Sequence, residues 1–121
     1  MKLQKVGCED ETDVGHMQEK VGEFTMIVHA FLFQWKPQAT EQDKQQAAER
    51  IRALQGQIPG LIETSYNANT SPRSQGFTHG GVMKFRDKAA LKAYFTHPVH
   101  QELVDWLMPL LAVAAELDYE A

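Results

Sequence analysis

The sequence predicts an α+β domain, a four-stranded antiparallel sheet with its helices on one face, and three observations carry that prediction. Residues 25–35 read Thr-Met-Ile-Val-His-Ala-Phe-Leu-Phe-Gln-Trp, rich in β-branched and aromatic side chains and apolar on both faces, which marks a central strand covered on two sides. Residues 76–85 alternate with a strand's period of two: Phe77, His79, Gly81, Met83 and Phe85 fall on one face, and Thr78, Gly80, Val82 and Lys84 on the other. Between and after these strands, apolar residues recur at three- and four-residue spacing, the mark of helices with one dry stripe.

Residues 1–23 are polar and charged, with Gly7, Gly15 and Gly22 and no apolar period, and are expected to form an N-terminal arm; the domain proper is expected over residues 24–121. In the first strand His29 shares a face with Ile27, Phe31, Phe33 and Trp35. Lys36-Pro37 ends it. Thr40 is the expected N-cap of a helix that runs to about Gly56, with Glu41 and Asp43 in its first turn and Ala47, Ile51 and Leu54 on its apolar face. Gln57-Ile58-Pro59-Gly60 turns the chain into a second strand over residues 61–69, whose mixed polarity suits an edge. A loop over residues 71–76 leads into the third strand. Residues 88–95 then predict a short helix that groups Ala90, Leu91, Tyr94 and Phe95. Pro98 suits a first helical position, which makes His97 the N-cap of a further helix from Val99 to about Met108 and places His100 in its first turn. Pro109 helps to stop that helix. A last strand is expected over residues 111–119, against the poor strand propensity of Ala112, Ala114 and Ala115.

That order, strand, helix, strand, strand, helical segment, strand, is the split βαβ pattern of a ferredoxin-like fold. The faces that carry His29 and His79 are strongly apolar, and one chain has nothing left with which to cover both sides of its sheet. A second copy is expected to supply the cover. Two sheets packed face to face make an eight-stranded α+β barrel, with a cavity between them for a small ligand.

Composition narrows the classes of function. The 121 residues include 12 basic and 16 acidic side chains, a formal net charge of −4, and no basic block, so nucleic acid is not an expected partner. The apolar runs Met26–Phe33 and Leu107–Ala115 are far short of the roughly 20 residues of a membrane span, and the N-terminus carries no hydrophobic signal region. A soluble, cytoplasmic protein is expected. The single cysteine, Cys8, makes no internal disulfide, has no evident catalytic partner and fits a reducing compartment.

Gly76-Phe77-Thr78-His79 with Phe85 further along the strand, then Leu91, Tyr94 and His97-Pro98-Val99-His100, and an opening strand of the form Val-His-X-Phe-Leu-Phe-X-Trp-Lys, resemble the stress-responsive dimeric A/B barrel family, often called Dabb. The resemblance runs from about Phe24 to Glu120. It implies a homodimeric α+β barrel; many members have no known reaction and are described as responding to stress. One member with defined chemistry is a plant polyketide cyclase that makes olivetolic acid by a cofactor-free aldol cyclisation, with a tyrosine and a histidine as its acid–base pair. The resemblance matches its site histidines to His29, His79 and His100, and its tyrosine to Tyr94.

The same chemistry follows from the residue types. His100, at the positive end of a helix dipole, is expected to stay a neutral base, and the Tyr94 phenol can donate or orient a proton. With His79 they form the predicted catalytic set; His29, Phe31, Phe33 and Met83 complete the predicted ligand-binding set. His97 as a cap leaves His-X-X-His a poor chelating pair, so no metal and no cofactor are expected. Trp35, Trp106 and the methionines are expected to pack the core or an interface. Three functions fit: a barrel that holds a small apolar organic molecule without turnover, a cofactor-independent cyclase, lyase or isomerase of the olivetolic acid cyclase type, and a purely structural dimer.

Overall fold

A computed structural model describes residues 25–121, and the arm expected over residues 1–23, with Cys8, lies outside the described residues. The elements follow in the order β1 (Ile27–Trp35), α1 (Glu41–Ala53), β2 (Leu61–Ala68), β3 (His79–Phe85), α2 (Lys88–Thr96), α3 (Pro98–Leu107), a 3-10 turn over Met108–Leu110, and β4 (Leu111–Glu120). Helix α1 begins where Thr40 accepts the Asp43 N–H at 3.0 Å while the Asp43 carboxylate accepts the Thr40 N–H at 3.0 Å, a reciprocal cap that satisfies two otherwise orphaned donors. Asp87 caps α2 by accepting the Ala90 N–H at 2.8 Å, and that bond holds its carboxyl below the usual carboxylate range. A single residue, His97, separates α2 from α3. Its Nδ1 accepts the Val99 N–H at 3.1 Å, and Pro98 opens the new helix, as their sequence positions predict.

All strand pairs are antiparallel, in the order β2-β3-β1-β4, so the mixed-polarity β2 is an edge and the apolar β1 is central. The pattern is the ferredoxin-like α+β fold that the element order predicts. Strand β3 starts at His79 rather than Gly76, because Gly76 lies at φ +87° and the Phe77 N–H turns back to the Ser74 carbonyl at 2.9 Å. Helix α1 ends at Ala53, ahead of Gly56, which stands at φ +96° in the following turn.

The register puts Phe33 opposite His79, His29 opposite Met83, and Phe31 between Gly81 and Glu116. Ile27, His29, Phe31, Phe33, Met83, Phe85 and Tyr66 therefore share one face, and they are buried with Ile51 of α1, Leu54 just past its end, Tyr94 of α2, and Leu103 and Leu107 of α3. Gly81 has its place in this layer because a Cβ there would stand 2.9 Å from the Phe31 ring and 2.2 Å from the Ser65 carbonyl oxygen. The histidine face is thus the face covered by helices. This corrects the expectation that a second copy covers it: β1 is apolar on both sides, and alternation separates two faces without telling which one receives the helices. The open face carries Leu32, Val82, Val113, Leu117 and Tyr119, all exposed. It is concave, with a hollow of about 500 Å³ lined by Ala30, Leu32, Val82, Ala115 and Leu117 among others. Among the described residues no helix is long and apolar enough to cross a membrane.

Candidate active site

A cavity of about 70 Å³ lies inside the single chain, between the sheet and α2–α3, not between two sheets. Its walls are almost wholly apolar. Phe31, Phe33, Met83, Leu103 and Leu107 supply most of them, and His29, Tyr94, His100 and Glu116 bring the polar groups.

The break at His97 positions the pair that matters most. Tyr94 lies in the last turn of α2 and His100 in the first turn of α3, so the break folds the phenol and the imidazole together, with ring centroids 4.1 Å apart. The His100 Nδ1–H donates to the Phe95 carbonyl at 3.3 Å, an acceptor that dictates the tautomer and leaves Nε2 with its lone pair. Burial pushes the His100 pKa below the ordinary histidine value, and the nearby His29 adds to that; the Phe95 bond and Glu116 oppose it without prevailing. The leading cause of that downward shift is burial, not the helix dipole. Tyr94 is buried, and its pKa is raised first by that burial and then by the Glu116 carboxylate, so the phenol keeps its proton.

His29 is 3 % exposed, and its Nδ1 lies 2.5 Å from the Asp118 carboxylate, the partner a buried imidazole requires. Its ring stands 6.1 Å from Tyr94 and 5.9 Å from Phe95, so a second imidazole closes the cavity beside the first pair.

His79 is not part of this group. It shares the face, but it pairs with Phe33 at the other end of β3, four residues from Met83, or about 13 Å along a strand. There its Nδ1 accepts the Trp35 indole N–H at 3.0 Å, with the Thr78 hydroxyl oxygen also 3.0 Å away, and its ring stacks on Tyr66 at 6.1 Å. Burial, and after it Lys44, lower its pKa. Of the seven residues expected to bind a ligand, the fold gathers His29, Phe31, Phe33, Met83, Tyr94 and His100 and leaves His79 apart.

Sequence reasoning overlooked Glu116 and Asp118. In β4 they alternate with Val113, Ala115, Leu117 and Tyr119, and the register turns the acids toward the helices and the apolar residues outward. The signal was an inverted alternation, acids at even positions within an otherwise apolar strand. Among the described residues no group of three or more His, Cys, Asp or Glu side chains is placed to hold a metal ion.

With this geometry in place, the comparisons with known proteins decide the family. The sequence pattern of the stress-responsive A/B barrel domain matches residues 27–121. The chain belongs to that family. Among solved structures, a hydroxynitrile lyase from Passiflora edulis is 22 % identical and superposes with a TM-score of 0.75 over 81 % of this chain and 94 % of its own. A Dabb family protein with a ferredoxin-like fold from Mesorhizobium loti is 26 % identical, with a TM-score of 0.70 over 80 % of the A/B barrel chain and 97 % of its own. A dimeric ferredoxin-like protein of unknown function from Jannaschia is 25 % identical, with a TM-score of 0.70 over 79 % and 99 %. No curated protein matches the sequence.

Proposed function

We propose that this A/B barrel protein is a cytoplasmic homodimer in which each subunit holds a small, compact, largely apolar organic molecule, bearing one oxygen function, in the cavity between sheet and helices. The observation that carries the reading is the buried Tyr94–His100 contact within an apolar wall: a protonated phenol and a neutral imidazole suit a carbonyl or hydroxyl oxygen and little else. The volume of about 70 Å³ is well below the roughly 300 Å³ at which common ligand cavities begin, which favours a compact molecule over an extended polyketide chain. The homodimer is supported by the exposed apolar open face and by the dimeric relative from Jannaschia.

Native mass spectrometry of the purified protein, followed by titration with acetone, tests the reading. The expected result is a dimer that binds acetone saturably and loses that binding in His100→Ala, while Tyr94→Phe, which keeps the ring and removes one hydrogen bond, weakens it roughly 2- to 13-fold. Binding unchanged in both folded variants would refute the site, and a dimer that takes up no small carbonyl compound would leave it a structural scaffold.

A second reading, cofactor-free lyase chemistry, is favoured by the same pair together with the lyase relative. On a cyanohydrin, a neutral imidazole takes the hydroxyl proton and the C–O bond becomes C=O. The bond to the cyano carbon then breaks, its electron pair leaves with cyanide, and cyanide receives a proton. Acetone cyanohydrin cleavage, followed by cyanide release, should then fall by roughly 100-fold or more in His100→Ala. Equal rates in wild type and variant would exclude turnover at this site.

A further inference from the structure

The acid–base cavity leaves a second hollow unused. A cleft of about 330 Å³ lies at the His79 end of β3, lined by Lys44, Arg52, Tyr66, Asn67 and His79 together with Glu41. The Tyr66 ring separates the two spaces: it stacks on Phe31 and tilts against Phe33, each at 6.0 Å, and both of those rings line the first cavity.

The polar groups of the cleft are mostly donors. His79 Nδ1 accepts from Trp35, so in the neutral ring the proton sits on Nε2, the nitrogen left for a ligand. One Arg52 nitrogen, Nη2, is committed to the Tyr66 carbonyl at 2.9 Å and the Asn67 side-chain oxygen at 3.1 Å, which holds the guanidinium rigid and leaves Nη1 and Nε. Lys44, with its side chain 26 % exposed, gives Glu41 one bond at 3.3 Å and has two donors left. Lys44 and Arg52 against Glu41 leave a single positive charge in excess, which matches a monoanion better than a dianion.

We infer that this cleft is a second ligand site, which takes a small monocarboxylate through Lys44, Arg52 and His79. The Trp35 indole N–H, bonded to His79, is a built-in reporter. In proton–nitrogen correlation spectra at constant ionic strength, sodium acetate should shift the Trp35 indole signal saturably, with a Kd of about 1 mM, and leave that of Trp106 in place. Lys44→Gln and Arg52→Gln should each weaken acetate roughly tenfold. His100→Ala should leave acetate binding as it is, which separates this site from the acid–base cavity. No saturable shift in the wild-type protein, equal affinity in Lys44→Gln and Arg52→Gln, or loss of binding in His100→Ala would each overturn the assignment. Inorganic phosphate binding more tightly than acetate would overturn the monocarboxylate.

Discussion

Leu117→Glu puts the dimer to its hardest test. Leu117 lies on the open face in a row that runs across all four strands, Leu117 beside Ala30, Ala30 beside Val82 and Val82 beside Ser65, and 61 % of it is exposed in the single chain. Burial of a whole leucine side chain contributes about 2 kcal/mol, so covering the exposed part contributes about 1.2 kcal/mol. In a two-fold interface the residue appears twice, which brings the loss to about 2.4 kcal/mol. Two carboxylates pressed into the same apolar patch add the cost of unpaired buried charge, so the dimer should weaken by well over the roughly 60-fold of the lost burial alone. Because Leu117 covers little of its own core, the monomer should stay folded. Sedimentation equilibrium over a range of concentrations gives the dimer Kd, and circular dichroism checks the fold. An unchanged Kd in a folded Leu117→Glu protein would show that the open face is not the interface.

Two further outcomes concern stability. Thr40→Ala removes the reciprocal cap of α1 and should cost about 1 kcal/mol, a Tm lower by about 4 °C in thermal unfolding; a loss below about 0.3 kcal/mol would mean that α1 is held by packing alone. His79 and His100 both have pKa values below the ordinary one in the folded chain, so the unfolded chain takes up their protons first as pH falls. Their share of the pH dependence is absent above the ordinary value of about 6.5 and destabilises progressively below it. Comparing Tm at pH 8 and pH 5.5 in wild type and in His100→Asn checks the sign. The variant should lose less stability on acidification, and a larger loss would contradict the assignment.

Much of the fold was legible because single residues settle local choices. Thr40, Pro98 and His97 fix where helices begin, since a cap or a proline satisfies a geometric demand that needs no distant partner. The site was legible only in part, for two physical reasons. A strand's period of two assigns His79 and His29 to a face but gives no position along it, so His79 was grouped with Tyr94 and His100 although the register holds it at the opposite end. Cross-strand neighbours depend on pairing, which one sequence does not display. Asp118 meets His29 because β4 lies beside β1, at a separation of 89 residues. The tyrosine–histidine contact sits six residues apart across a capped break, and that is why local reasoning reached it.

Strand β4 serves both the cavity and the open face, and its adjacent residues allow the two to be separated. Glu116 points toward the helices, where it helps to keep the proton on Tyr94 and opposes the downward shift of His100. Leu117 points the other way. Glu116→Gln should therefore lower the His100 pKa further, read from the imidazole C–H shifts against pH, and leave the dimer Kd unchanged. Leu117→Glu should do the reverse. If the two faces are independent, the double variant shows both effects undiminished, because the sheet stands between the side chains. A His100 pKa that moves on Leu117→Glu alone would mean that dimerisation shapes the cavity, and the site would then have to be described as a property of the dimer.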